Sequence, residues 1–301
     1  MAQPNYPALW QCLGMVVGVY GLLYAYAALR LDLARPLVAV GLLGKILGPI
    51  GWVVTVSAGE WPLRTFSLIV FNDLVWWLPF TLFLLEGTRP AFAQRVRAAA
   101  PYACAALNAL AAVALLVALR PGTEVAPSAA DRAAYIANNP LLWRGGWLLW
   151  MAAALGLLGF YAWWGAHLPR PGWALAGLGL ALAGLLFDLA GDSLNIAWLP
   201  LQLETLQRLA TLLSSGAGNG LYTLGGIVLT LATPWRGQTG LRVWAWAIWL
   251  SGLGLTASAL GPSAFGMGAS ALGMMLFGGA LLVLFCPWCV WMGSRTSWEL
   301  E

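Results

Sequence analysis

From Val243 to Ser294 the chain contains no Asp, Glu, Lys, Arg or His. A water-soluble domain cannot leave so long a run uncharged, because its surface needs charge to stay hydrated; such a run belongs in hydrocarbon. The remainder follows the same rule. Of 301 residues 9% are charged and 61% hydrophobic, with a mean hydropathy of +0.79. Transmembrane barrel strands alternate apolar and polar positions. Here the runs are apolar on every face, which leaves the helix as the element that satisfies its own backbone in lipid. The fold class expected is all-α, a polytopic integral membrane helical bundle.

About 20 apolar residues carry a helix across a bilayer. Stretches 8–29, 36–57, 65–86, 102–119, 141–166, 171–191 and 209–235 qualify. The final run is too long for one crossing, and Gly261-Pro262-Ser263 supplies a turn that divides it into 243–260 and 265–291. The expected total is about nine transmembrane helices. A polar connection from Arg120 to Pro140 separates four helices from five. The domains expected are an N-terminal four-helix membrane unit over 1–120, a connecting loop over 121–140 and a C-terminal five-helix membrane unit over 141–299. No basic residue falls between Met1 and Pro7, so no cleaved signal peptide is expected. Trp77-Leu78-Pro79 and Trp198-Leu199-Pro200 form a weak internal echo.

Arginine orients such a chain. Alternating loops place Arg30, Arg35, Arg89, Arg95, Arg97, Arg170, Arg236, Arg242 and Arg295 on one side, and Arg64, Arg120, Arg132, Arg144 and Arg208 on the other. The richer side is expected to be cytoplasmic. The protein then lies multi-pass in a cell membrane, of the bacterial inner-membrane type, with its N-terminus outside and its C-terminus cytoplasmic. Many of the 19 tryptophans fall near span ends, where indole favours the interface.

Several function classes drop out. The net charge of +4 comes from scattered arginines, with no basic run of the kind that grips nucleic acid. A single histidine, His167, and four cysteines give no complete metal set, and no cofactor motif occurs: Gly44-Lys45 is followed by Ile46, not by Ser or Thr. Cys286-Pro287-Trp288-Cys289 has redox spacing. It lacks the βαβ setting and any charge within five positions that would favour a thiolate.

The polar residues inside the spans carry the functional signal. Lys45 is the only lysine and sits in the middle of the second span. A lysine at the bilayer centre costs roughly 2.5–3.5 kcal/mol on insertion scales, so it normally faces protein or water and has a partner. Asp73, in the next span, lies at a depth roughly 6 Å different by helical rise, within reach of a lysine side chain. Pro49 has no N–H for the carbonyl of Lys45, which leaves that oxygen free. Asn72 adjoins Asp73, and Trp77 shares its helical face at i+4, where an aromatic ring beside a carboxylate suits an organic cation. Asp188, Asp192 and Asn195 share a face at the outer end of the sixth span, and Asn219 lies in the Gly- and Ser-rich seventh, whose Ser214–Gly220 stretch suits an unwound or kinked helix. Gly41, Gly44, Gly48 and Gly51 give the second span a face for close packing.

Lys45, Asp73, Asn72, Trp77, Asp188 and Asn219 are therefore the candidate ligand-binding residues, with no catalytic residue assigned. Three roles stay open. The first is a buried polar cavity that binds or transports a small molecule, proton or lipid-like compound. The second is a non-catalytic subunit or assembly factor of a larger membrane complex. The third is a membrane-embedded enzyme acting on a lipid or by thiol redox chemistry. The partners implied are the lipid bilayer, a small-molecule or lipid ligand and another membrane protein, with no nucleic acid.

Overall fold

Proline and glycine mark where this chain can start, bend and pack its helices. In a computed structural model, described here for residues 6–123, 128–197, 203–261 and 270–294, the described residues form helices and turns and no strand. Contacts divide the chain at Gln94 into two compact units.

The first unit holds α1 (Pro7–Leu29), α2 (Leu31–Ser57), the single turn α3 (Phe66–Ile69), α4 (Val75–Thr88) and the start of α5 (Pro90–Ala98). Pro7 and Pro90 open their helices, where the missing N–H costs nothing. Between α3 and α4 the backbone widens into a π-helical segment, Val70–Leu74. There the Val75 N–H reaches back to Val70 O, one residue beyond α-helical spacing. α2 packs against α1, the π segment and α4.

The second unit contains α6 (Ala100–Ala114), α7 (Ala129–Asn138), α8 (Pro140–Ala166), α9 (Pro171–Ala197), α10 (Leu203–Thr211), α11 (Asn219–Ala232), α12 (Thr239–Leu260) and α13 (Ser270–Ser294). Pairwise packing runs α6 to α8, α8 to α9, α9 to α11, α11 to α12, α12 to α13 and α13 back to α6, so six helices close a ring. Where α8, α12 and α13 meet, Phe160, Trp164, Trp249, Phe285 and Trp288 pack mostly edge-to-face with centroids about 5.3–6.5 Å apart. Trp164 and Trp288 are fully buried, so these indoles are core rather than interface anchors. Their N–H groups still find acceptors: Trp164 Nε1 donates to Thr233 Oγ1 at 2.9 Å and Trp249 Nε1 to Thr230 Oγ1 at 2.7 Å.

Among the described residues, seven helices are long and apolar enough to cross a membrane: Pro7–Ala27, Leu31–Ser57, Ala100–Gly122, Pro140–Ala166, Pro171–Ile196, Thr239–Leu260 and Leu272–Ser294. These make the chain a multi-pass membrane protein. The count of about nine is not confirmed. The two remaining expected spans, 65–86 and 209–235, are composites of shorter helices joined by π segments, Val70–Leu74 in one and Leu212–Gly218 in the other. The polar connection after Arg120 is not plain loop either. Ser128 Oγ caps α7 by accepting the Asp131 N–H at 3.1 Å, and Ile136 packs with Leu119 and Trp143 in a small buried cluster. Pro262 and Ser263 of the expected turn, and Trp198-Leu199-Pro200 of the internal echo, lie outside the described residues.

Candidate functional site

Pro49 and the π segment together shape the polar centre of the first unit. Pro49 withholds an N–H from Lys45 O, and Trp77 supplies one instead: its Nε1 donates to that carbonyl at 2.8 Å. Trp77 thus ties α4 to α2 at the proline. Trp76 rather than Trp77 faces the adjoining cavity, with its ring 5.6 Å from Phe80. The extra residue in the Val70–Leu74 turn shifts the helical register, so an i+4 count across it does not preserve a face.

Lys45 Nζ lies 3.5 Å from Asp73 Oδ1 and donates to Asn72 Oδ1 at 3.3 Å. Asn72 Nδ2 in turn donates to Asp73 Oδ1 at 3.0 Å, which closes a three-residue network. Asp73 is 3% exposed, whereas the lysine side chain is 20% exposed. The carboxylate fits because position 48 has no side chain. A Cβ built on Gly48 would stand 2.7 Å from Asp73 Oδ2. Gly41 does the same for Tyr24, whose hydroxyl and the Phe80 ring fill the space beside it, while Gly44 and Gly51 meet nothing within 4 Å.

The network opens on a cavity of about 920 Å³ between α1, α2, the π segment and α4. Its polar end is Lys45, Asn72 and Asp73; Tyr20, Tyr24, Trp76, Phe80 and Phe83 supply most of its bulk. Apolar walls with a few convergent polar groups are the usual form of a small-molecule site. Sequence reasoning missed the two tyrosines of α1. Their signal was present: Tyr20 and Tyr24 sit at i and i+4, on one face of a largely apolar helix.

Asp188 and Asn219 belong to the second unit. Asn219 begins α11 just after the π segment Leu212–Gly218 and spends both amide protons on α12, donating to Gly252 O at 2.7 Å and Thr256 Oγ1 at 2.8 Å. Asp188 is buried on α9 and accepts from the Tyr222 hydroxyl at 3.3 Å. Cys286 and Cys289 are free thiols, half-buried and fully buried respectively, in a continuous α13. Among the described residues no cluster of three or more His, Cys, Asp or Glu is placed to hold a metal. No protein-family model, curated protein or solved structure matches the chain.

Proposed function

We propose that this membrane protein binds a small amphipathic molecule in the cavity of its first unit, with Lys45, Asn72 and Asp73 holding the polar head and the aromatic walls holding the apolar body. The observation that carries this reading is a charged pair inside an apolar span with a cavity of about 920 Å³ beside it. Packing alone does not require such a pair, since apolar residues of the same shape hold helices equally well. A lipid-like ligand suits the setting, because it reaches the cavity from the bilayer. The same reading takes the two composite segments as crossings, giving nine spans with the N-terminus outside on the arginine count. Seven and nine are both odd, so the termini fall on opposite sides in either case.

The protein purified in its native lipids, then extracted for mass spectrometry, tests the binding. A small amphiphile enriched over bulk lipid in the wild type, and lost in a folded Lys45→Met, Asp73→Leu variant, is the expected result. Equal retention by the two proteins refutes the site. Thiol labelling of single cysteines placed between 128 and 138 tests the orientation: modification only from the cytoplasmic face overturns it.

A further inference from the structure

The second unit buries two carboxylates with no cation paired to them among the described residues. Asp188 and Asp192 are one turn apart on α9, at 7% and 0% exposure. Neither forms an ion pair within 4.0 Å among the described residues. Both oxygens of Asp192 are buried without a hydrogen-bond donor among the described residues. One turn further, Asn195 is 2% exposed and its Oδ1 also lacks a donor. Asp192, Asn195 and Asp188 fall on one helical face by their i, i+3 and i−4 spacing. An unpaired ionised carboxylate held out of water costs far more than protonating it, and two close carboxylates cannot both stay ionised.

Among the described residues the neighbours offer no substitute charge. From α11 comes the Tyr222 hydroxyl, already given to Asp188. The π segment Leu212–Gly218 has no charged residue, and it comes close enough that a Cβ on Gly218 would stand 3.2 Å from Asp188 N. From α8, Trp143 Nε1 donates to Asn195 O at 2.7 Å, and Arg144 beside it makes no ion pair with either carboxylate. From α10, Arg208 donates to Leu260 O at 3.2 Å.

We propose that Asp188 and Asp192 form a proton-binding pair in which Asp192 carries the proton and Asp188, held by Tyr222, is the group able to accept it. The exchange is simple in its balance. The proton leaves an Asp192 carboxyl oxygen for an Asp188 carboxylate oxygen, the negative charge moves the opposite way, and Tyr222 keeps its O–H. A proton needs one oxygen and no room, whereas a hard metal cation gathers several oxygens around itself. The widened Leu212–Gly218 turn packs along α9, and a wide turn of this kind is where a helix changes hydrogen bonding most readily.

Infrared spectroscopy of the full chain in lipid nanodiscs tests the pair. At neutral pH the wild type should show the carbonyl band of a protonated carboxylic acid, shifted in heavy water. Asp192→Asn should lose that band, and Asp188→Asn should keep it at a displaced frequency. Absence of the band in the wild type overturns the proposal, whether or not the variants fold. So does loss in Asp188→Asn with retention in Asp192→Asn. A carboxylate band that instead moves when sodium replaces potassium makes this a metal-cation site and equally refutes the proton.

Discussion

The strongest test of the Lys45–Asp73 pair is a double-mutant cycle, because the pair makes opposite demands on single and double variants. Lys45→Met leaves a carboxylate that is 3% exposed with Asn72, at 3.0 Å, as its only side-chain donor among the described residues. Removing one partner of a buried ion pair costs about 3–5 kcal/mol. Asp73→Leu is milder, about 1–3 kcal/mol. The lysine keeps Asn72 Oδ1 at 3.3 Å, and its side chain is 20% exposed, so the ammonium can swing out of the packed region. The double variant strands neither charge and fills both volumes with apolar groups of similar shape. It should match the wild type or exceed it by roughly 1–4 kcal/mol. The coupling energy is therefore large, on the order of 4 kcal/mol or more. Unfolding in mixed micelles, followed by tryptophan fluorescence and circular dichroism, measures all four corners. If the two single effects simply add to within about 0.5 kcal/mol, the residues do not interact and the reasoning fails.

Gly48→Ala should destabilise the first unit by about 1–3 kcal/mol, because its methyl would press on the Asp73 carboxylate; Gly44→Ala, whose Cβ meets nothing within 4 Å, should be neutral or stabilising, and the same micelle assay reads both. Trp77→Phe removes the donor to Lys45 O and should cost about 0.5–1.5 kcal/mol, while a Trp77→Phe effect as large as that of Lys45→Met would show that the indole does more than satisfy a carbonyl. Cys286→Ala with Cys289→Ala should leave assembly and co-purified ligand unchanged, since both thiols are free and Cys289 is fully buried; an alkylation shift revealing a disulfide in membranes, with loss of ligand, would promote the redox reading.

The helical membrane class was legible because it rests on transfer energies that act on every residue alike, and the charge-free run from Val243 to Ser294 leaves no soluble alternative. Lys45 and Pro49 were legible for a related reason: each places a group in lipid that must be satisfied, and chemistry limits what can satisfy it. The identity of the satisfying group was less legible. Trp77, assigned by spacing to the Asp73 face, spends its N–H on Lys45 O. Nothing local announces that contact, which depends on how α2 and α4 cross. The indole belt shows the same limit. Trp143, expected near a span end, is a buried core residue that donates to Asn195 O at 2.7 Å, and hydropathy alone does not separate a tryptophan facing headgroups from one facing protein.

One structural device limits how far spacing arguments carry along the two composite segments. Side chains four apart share a face only while the helix keeps 3.6 residues per turn. Each π turn inserts a residue, rotates everything beyond it by about 100° and frees backbone oxygens from their usual donors. Asn72 and Asp73 lie inside such a turn, and Gly218, at the end of another, lies against Asp188. The first turn is followed by Pro79, which cannot donate to Val75 O, so the segment is short of a hydrogen bond on its far side as well. The second is rich in Ser and Gly, which pay little steric cost in a wide turn. At these two of the three π segments among the described residues the chain gives up regular helix where it also buries a carboxylate; the third, Leu115–Leu119, continues α6 and holds no acidic residue. A polar side chain at depth needs neighbours at close range, and a wide turn brings backbone and small residues nearer than a regular helix allows. The sequence marks of such a turn are a proline four or more residues downstream or a Ser/Gly run within an otherwise apolar span, and both marks stand here next to the acidic residues they serve.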